Sequence, residues 1–460
     1  MIPYTDPFTT DGSNFINAPG LIFTIVMGIL LVVLPRRYAL LPIIALTCYM
    51  TMGMRVMVGN LNFTMLRIVM LFGWARLVLR GELKGLKLNP LDKVLIIWSF
   101  VGLIAYTILW QSTDAFKYKL GAAYNDLGFY FMFRFLIRDM EELVQAIKIY
   151  AVLVVPLAGC MIVEKMTGHD SFSIFGGVPP TTYIREGTLR CQGPFAHPIL
   201  AGTFGATLMP LFVGLWQQKK NRLIAIGGCI AAAIITVTSA SSGPLLACIL
   251  GLMAIAAWPL RLKMRKIRWA IVASLAGLQL VMKAPVWFLL ARVDVFSGST
   301  GYHRALLIDR AIANLSDWWL VGTQNTWKWS GEDDHLFDVT NNYILNGADG
   351  GLITMILFIA IVAIAFKGVG RAVRGSDGKS PETDVRMLWA LGAALFAHAV
   401  TFISVSYFDQ NFVNWYLLLA IIGTLTGPFL VVRRSEFLES VRPAPDPEPV
   451  GFASSHQLRT

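Results

Sequence analysis

Charged residues are scarce in this chain: of its 460 residues, 15% are Asp, Glu, Lys or Arg, whereas 55% are hydrophobic. Soluble globular domains carry about 25% charged residues. The deficit extends along the whole sequence, and the mean hydropathy is +0.60. Most residues must therefore lie in an environment that does not hydrate charge, which excludes a water-soluble fold for the body of the chain.

Cysteine is scarce as well, and its positions exclude two further classes of protein. Four of the five cysteines lie inside apolar segments, and Cys191, in a polar loop, has no second loop cysteine to pair with. The sequence therefore predicts neither a disulfide framework nor a CxxC metal site. The first residues also lack the basic region of a cleavable signal peptide, so we expect the first apolar helix to be retained.

The sequence contains long apolar runs in place of charged residues and cysteines. In lipid the backbone must satisfy its own hydrogen bonds, so only helices and closed barrels cross a membrane. The runs are continuous rather than alternating, which favours helices. We therefore expect an all-α fold, a polytopic transmembrane helix bundle of about 12–13 spans with short helices in a large external loop. The predicted spans are 18–34, 38–54, 62–79, 91–110, 121–137, 143–163, 197–216, 222–238, 243–260, 269–290, 350–367, 386–405 and 412–432.

The chain has a formal net charge of +11, and its basic residues gather in clusters on alternate loops. By the positive-inside rule these loops face the cytoplasm, which predicts an external N-terminus and a cytoplasmic C-terminus. The positive charge is thus attributed to membrane orientation and not to nucleic-acid binding. Residues 1–437 form the transmembrane domain in this interpretation, and the Pro-rich segment 438–460 is a disordered cytoplasmic tail. The clusters lie at 36–37, 80–93, 219–222, 261–268, 367–379 and 433–434.

Two predicted external loops, 164–196 and 291–349, are too long to be simple connectors, and ordered loops of this length are usually functional. The second loop contains an apolar stripe at helical spacing, which predicts a helix along the membrane surface: Ala305, Ile308, Ile312 and Leu315. It also carries four tryptophans, which we interpret as an interfacial belt: Trp318, Trp319, Trp327 and Trp329.

Arginines occur in both of these loops. Arg185 and Arg190 precede the helix predicted at 197–216, and Arg304 and Arg310 lie on the predicted surface helix. A guanidinium group keeps its charge and presents a planar donor fork that matches phosphate oxygens. Glycine-rich turns and helix N-termini add backbone donors for anions. The pattern suits the head group of a lipid-linked diphosphate. The alternative is that these arginines are solvated charges at the rim.

Three segments resemble motifs of one family of membrane enzymes. LRCQGPFAHPILAGTF at 189–204 is similar to the Arg-x-x-Gly-x-Phe-x-His-Pro stretch that opens a central helix in the O-antigen ligase and O-antigen polymerase superfamily. STGYHRALLIDRAIANLSDWWLVGTQ at 299–324 resembles that family's arginine-containing helix and glycine turn. TNNYILNGADGGLITMILFIAIV at 340–362 is similar to the start of its next span. The order and spacing of the three segments also match.

The resemblance implies a metal-independent membrane glycosyltransferase without a cofactor, in the inner membrane of a bacterium. Its donor is a glycan on undecaprenyl diphosphate, and its acceptor is a saccharide or a lipid-linked saccharide. Its other expected partners are membrane lipids and polysaccharide-assembly proteins. Arg190 and Arg304 match the family's two arginines and are expected to hold the diphosphate, with Arg185 and Arg310 nearby. Asn341 and Tyr343 of the third segment are further candidates for substrate binding.

The chain departs from the family pattern where many ligases have a His-Asn pair before the tyrosine. Thr340, Asn341 and Asn342 precede Tyr343 here, so the family's usual base has no aligned equivalent. His335 and Asp338 are the replacement candidates for the catalytic base. The alternative is that His335 is a solvated residue of a charged loop. The departure favours a polymerase, or a ligase for another acceptor, over a standard lipid A–core ligase.

Two other classes of function remain open. A transporter or flippase for a polyprenyl-linked or amphipathic solute is expected to have paired charges near the membrane midplane and interrupted helices. A non-catalytic scaffold in a polysaccharide-export complex is the third possibility. His197 is expected to start a helix rather than to act in catalysis, and the glycines at 202–205 and 347–351 are expected to allow close helix packing.

Overall fold

The computed structural model describes residues 16–58, 61–292, 300–330 and 339–440, and helices dominate this part of the chain. The α-helices are α1 (Ala18–Val33), α2 (Leu40–Tyr49), α3 (Met65–Leu79), α4 (Pro90–Trp110), α5 (Thr113–Leu136), α6 (Met140–Thr167), α7 (Pro198–Trp216), α8 (Arg222–Thr238), α9 (Ser242–Ala256), α10 (Met264–Val281), α11 (Thr300–Ala313), α12 (Leu315–Trp318), α13 (Asn342–Ser376), α14 (Glu382–Thr401) and α15 (Asn411–Ser440). Two antiparallel hairpins pair β1 (Arg55–Val58) with β2 (Leu61–Thr64), and β3 (Tyr183–Arg185) with β4 (Thr188–Arg190). The predicted all-α architecture is confirmed.

The chain is a multi-pass membrane protein. Each predicted span overlaps one α-helix, because continuous hydropathy marks where the chain must pass through lipid. Six described helices are long and apolar enough to cross a membrane, and a seventh span results if α9 and the segment Trp258–Val281, which meet at 80°, count as one. These six are Pro90–Trp110, Met140–Thr167, Pro198–Trp216, Lys219–Thr238, Asn342–Ser376 and Asn411–Leu430.

The predicted count of 12–13 spans is larger than this number. The apolar windows run past the ends of several helices into turns, so they overstate helix length. Helices α1, α2, α3 and α9 have 16, 10, 15 and 15 residues, whereas a straight helix needs about 20 to cross the hydrocarbon core.

The helix ends gather at two faces of the bundle. One is called the loop face below, and it contains the described residues of 50–64, 111–112, 168–197, 239–241, 300–341 and 402–410. Hydrogen bonds join its parts. Thr51 Oγ1 donates to the carbonyl of Gly176 at 2.5 Å, and Cys191 N donates to the carbonyl of Thr238 at 3.1 Å. The opposite face, called the basic face, contains 34–39, 80–89, 137–139, 217–221, 257–263 and 377–381. Arg261 and Asp377 form an ion pair there at 3.1 Å.

Two buried arginines within the helices form ion pairs with carboxylates, as intramembrane charges commonly do. Arg134 of α5 forms an ion pair with Asp92 of α4 at 3.0 Å, and both are buried. Arg76 of α3, with no exposure, pairs with Glu82 at 3.1 Å and donates to the carbonyl of Leu31 at 2.7 Å. These pairs join neighbouring helices near the basic face.

Two glycines of α7 let it approach the end of α8. A Cβ on Gly202 would lie 2.3 Å from Ser239 Oγ, and one on Gly205 would lie 2.6 Å from the carbonyl oxygen of Ala232. Both distances are far below van der Waals contact, so the packing interpretation of these glycines is confirmed. The contact fixes the position of the residues that follow α8.

Helix α11 confirms the surface helix predicted in the second long loop, but its buried face differs from the prediction. Ala305 is buried as expected, whereas Ile312 and Leu315 are exposed. Leu307 and Ala311 are buried instead, since α11 packs against its own loop and the start of α13. The predicted tryptophan belt is also wrong for two of its members: Trp318 and Trp329 are 3% and 2% exposed and belong to this small core.

Helix α13 is interrupted at Gly350 and Gly351, where the segment after α12 lies against it. Gly351 has a φ of +78°, and a Cβ there would lie 2.3 Å from the carbonyl oxygen of Leu320. Gly322 has a φ of +98°, and its Cβ would lie 2.2 Å from the carbonyl oxygen of Ala348. Two backbones therefore touch where two of the three family-like segments meet, and only glycine fits both positions without strain.

Candidate functional site

Arg190 occupies its position because a hairpin and a buried carboxylate hold the chain on either side of it. It is the last residue of β4, paired in register with Tyr183 of β3. Glu164, at the end of α6, then accepts hydrogen bonds from the backbone N–H groups of Gln192 and Gly193, both at 3.0 Å. The segment between the hairpin and α7 is thus fixed, and the Arg190 side chain is directed inward, only 8% exposed.

The guanidinium of Arg190 contacts the turn between α8 and α9. Its Nη2 donates to Ser241 Oγ at 2.6 Å, and its Nε donates to the carbonyl oxygen of Ser239 at 3.4 Å. The ring of Tyr183 lies 5.7 Å from the guanidinium carbon, within cation–π range. Burial and the neighbouring charge of Arg185 lower the pKa of Arg190 from its ordinary value of 12.5, and arginine remains charged under such shifts.

Arg304, from α11, reaches the same turn from the other long loop. A Cβ built on Gly243 would lie 3.4 Å from Arg304 Nη2 and 3.0 Å from Ser404 Oγ. Arg190 contacts Ser241, only two residues before Gly243, a separation of at most about 7 Å along the chain. Residues 239–243, called the 239–243 turn below, are therefore the place where the two predicted arginines meet.

The 239–243 turn also contains the start of α9. Ser241 is the N-cap residue but makes no side-chain cap hydrogen bond, because its hydroxyl accepts from Arg190 and donates to the carbonyl of Ser239 at 3.1 Å. The first N–H groups of a helix have no intrahelical partner and lie at the positive end of its dipole. Two guanidinium groups and this helix start form an arrangement that favours a phosphate-like anion.

His197 adds a neutral donor beside this arrangement. It is the N-cap of α7, and its Nδ1 accepts from the backbone N–H of Ile199 at 3.1 Å, so the proton of the neutral ring lies on Nε2. Burial first, then the charges of Arg190 and Arg185, lower the pKa of His197 to about 4. The expected role at a helix start is confirmed. At neutral pH the ring carries no charge, and its Nε2–H is available as a donor.

Arg185 and Arg310 are exposed, unlike the two arginines at the turn. Arg185 lies 3.8 Å from Glu186 in an ion pair in which both side chains are more than 40% exposed. The side chain of Arg310 is also exposed, one helical turn and a half beyond Arg304 on α11. Arg185 still contributes to the positive potential around His197. A direct substrate contact by either arginine stays a prediction.

Asn341 and Tyr343 hold the start of α13 in place. Asn341 Oδ1 caps the helix by accepting from the N–H groups of Tyr343 and Ile344, and its Nδ2 donates to the carbonyl of Ile403 at 3.1 Å. The Tyr343 hydroxyl donates to the carbonyl of Ala399 at 3.0 Å. These contacts occupy the polar atoms in the fold, and the proposed binding of substrate by these two residues stays a prediction.

His335 and Asp338, the candidates for the catalytic base, lie outside the described residues. Three residues of the 239–243 turn and one residue beside it were not predicted as site residues: Ser239, Ser241, Gly243 and Ser404. The sequence does carry a signal for Ser241 and Gly243, because Ser-Ser-Gly-Pro is typical of a helix start, with proline accepted in the first turn. It does not indicate which charged loop comes to that start.

Comparison with protein-family models and with curated proteins finds no match to this chain. The likeness to the O-antigen ligase and polymerase superfamily therefore rests on the three segments alone.

Proposed function

We propose that the chain is a membrane glycosyltransferase that takes a glycan from undecaprenyl diphosphate and transfers it to a saccharide acceptor. The acceptor hydroxyl attacks the anomeric carbon, the bond to the diphosphate oxygen breaks, and undecaprenyl diphosphate leaves with the bonding electrons. The acceptor proton passes to a base for which His335 and Asp338 remain the candidates. The reaction belongs to the ligase or polymerase type, on the external face of a bacterial inner membrane.

The observation that supports this proposal most is the meeting of Arg190 and Arg304 at the 239–243 turn. The departing diphosphate gains negative charge as the glycosidic bond breaks, so donors already fixed around it stabilise the transition state more than the ground state. Arg190 is held by Ser241 and Ser239, and Arg304 lies against Gly243 in the first turn of α9. Such a site needs no metal ion to neutralise the leaving group.

Substitution of the two arginines tests the proposal. Arg190→Ala and Arg304→Ala should each abolish glycan transfer, because each removes a fixed positive charge from the leaving group. Arg185→Ala and Arg310→Ala, at exposed positions, should lose less. Arg265→Ala, an exposed arginine at the basic face, is the matched control and should transfer normally. Transfer is measured as glycan product by electrophoresis in cells that lack the native gene, with membrane levels checked by immunoblot. Full transfer by both Arg190→Ala and Arg304→Ala removes the mechanism.

A second candidate function, transport of a polyprenyl-linked or amphipathic solute, is favoured by a different feature. Lys119 of α5 and Asp349 form an ion pair at 3.0 Å directly beside the interruption of α13. Paired charges at an interrupted helix are typical of transporter binding sites. A transporter would move a fluorescent polyprenyl-diphosphate analogue across proteoliposomes unchanged, and Lys119→Met would stop it. A glycosyltransferase would consume a glycan donor without moving the empty carrier.

A further inference from the structure

The turn between α14 and α15 carries three consecutive polar residues with no exposure. Asp409, Gln410 and Asn411 each have 0% of their surface exposed. Burial of polar groups costs free energy unless hydrogen bonds replace those lost to water. The partners of these side chains therefore have to be accounted for atom by atom.

The donors of the three residues are directed at the start of α7. Gln410 Nε2 donates to the carbonyl of Pro194 at 3.1 Å, and Asn411 Nδ2 donates to the carbonyl of Leu200 at 3.0 Å. Asp409 Oδ1 accepts from both the backbone and the side-chain N–H of Asn411, each at 3.0 Å. The three side chains thus converge on residues 194–200. Both amide orientations are fixed, since rotating either would place its oxygen against a carbonyl oxygen.

One oxygen of each side chain is left over. Asp409 Oδ2, Gln410 Oε1 and Asn411 Oδ1 are buried, and no hydrogen bond of good geometry reaches any of them among the described residues, although the backbone N–H of Ala196 lies near the Asp409 carboxylate. Three buried acceptors in three successive residues form an unusual local excess of oxygen over donors, and unpaired buried groups of this kind commonly mark a bound ion or water.

Protonation of Asp409 does not balance this excess. A neutral carboxyl group has a single O–H donor, which would satisfy one of the two amide oxygens and leave the other unpaired. A cation, by contrast, takes several oxygen ligands at once and compensates the buried charge as well. Oxygen-only ligands suit hard cations. One carboxylate with two neutral amides carries a single negative charge, which matches a monovalent ion better than Ca²⁺.

We propose that the turn at 409–411, together with the start of α7, binds a monovalent alkali cation, Na⁺ or K⁺, through oxygen ligands. The cation ties α7 to the α14–α15 connection. Those two elements supply His197 and Ser404 to the surroundings of the 239–243 turn, so the ion stabilises the framework of the candidate anion site. The inference does not depend on the proposed transfer reaction.

Thermal unfolding of the full chain in detergent tests the cation site. NaCl or KCl should raise the midpoint by about 2 °C or more relative to N-methyl-D-glucamine chloride of equal ionic strength, and the stronger of the two identifies the ion. Asp409→Asn should lose this difference. Asp126→Asn is the matched control, because Asp126 is another aspartate of the bundle and accepts a hydrogen bond from the Tyr416 hydroxyl at 2.7 Å. This variant should have a lower midpoint in all three salts. The midpoint difference between the alkali salts and N-methyl-D-glucamine chloride should remain.

Direct ion binding provides a test that does not depend on the folding of Asp409→Asn. Saturable binding of ²²Na⁺ to the unsubstituted protein, displaced by KCl or unlabelled NaCl, measures the ion directly. Equal midpoints in all three salts together with no ²²Na⁺ binding would mean that water alone occupies the turn, and the inference would be wrong.

Discussion

His197 connects the start of a helix to the charge of the site beside it. Its Nδ1 caps α7, and burial, together with the charges of Arg190 and Arg185, lowers its pKa to about 4. An unfolded histidine titrates near 6.5, so between these two values the unfolded chain binds the extra proton and the folded chain does not. The contribution of this residue to stability is therefore complete above pH 6.5 and is lost as the pH falls toward 4.

A substitution that keeps the cap but removes the titration isolates this effect. Asn is a good N-cap residue, so His197→Asn should remain close to the unsubstituted protein in stability above pH 6.5. It should lose less stability as the pH falls toward 4, because only the unsubstituted protein then has a histidine that binds a proton when unfolded. Thermal unfolding in detergent across this range measures the difference between the two proteins. Identical pH profiles would show that the fold does not lower the pKa of His197.

At the same scale, the sequence identified four candidate arginines without indicating which of them are buried. Arg190 and Arg185 stand five residues apart in one hairpin, and only contacts with the distant 239–243 turn make one buried and the other exposed. On α11, Arg304 is half-buried and Arg310 is exposed. A pattern of residue types predicts a charge and its chemistry. The burial of Arg190 arises from partners about 50 positions away.

Among the elements, the interruption of α13 has the clearest structural requirement. Gly351→Ala should destabilise the protein by at least about 1–3 kcal/mol, because its φ of +78° is costly for a residue with a Cβ and the added atom meets the carbonyl of Leu320. Gly370→Ala, in the regular part of the same helix with no atom within 4 Å of the new Cβ, is the control. It should be neutral or stabilising by about 0.5–1 kcal/mol.

Unfolding midpoints of the two variants in detergent distinguish this explanation from a general intolerance of α13 to alanine. Equal losses in both would contradict the role given to the backbone contact.

Helix positions were predictable because lipid selects continuous apolar runs, and the sequence accordingly placed every span on a helix. The ends of these helices, the 80° bend after α9 and the burial of Trp318 depend on tertiary contacts that no local pattern contains.

For the whole molecule, the two faces allow the predicted orientation to be tested directly. The positive-inside rule places the basic face in the cytoplasm, which leaves the 239–243 turn and both arginines on the external side. A glycan donor assembled inside the cell and used outside requires this orientation, because a head group bound at the cytoplasmic face would not meet an external acceptor. The proposed function therefore requires the loop face to lie on the external side of the membrane.

Single cysteines at the two faces give the measurement. Thr188→Cys, exposed on β4, should react with a membrane-impermeant maleimide in intact spheroplasts, and Lys379→Cys, exposed at the basic face, should react only after lysis. The native cysteines are buried or half-buried, which keeps the background low, and the unsubstituted protein measures what remains of it. If Lys379→Cys is labelled in intact spheroplasts and Thr188→Cys is protected, the arginines face the cytoplasm. The chain would then have no access to an external acceptor, and the transport function would become the better explanation of the paired charges at α13.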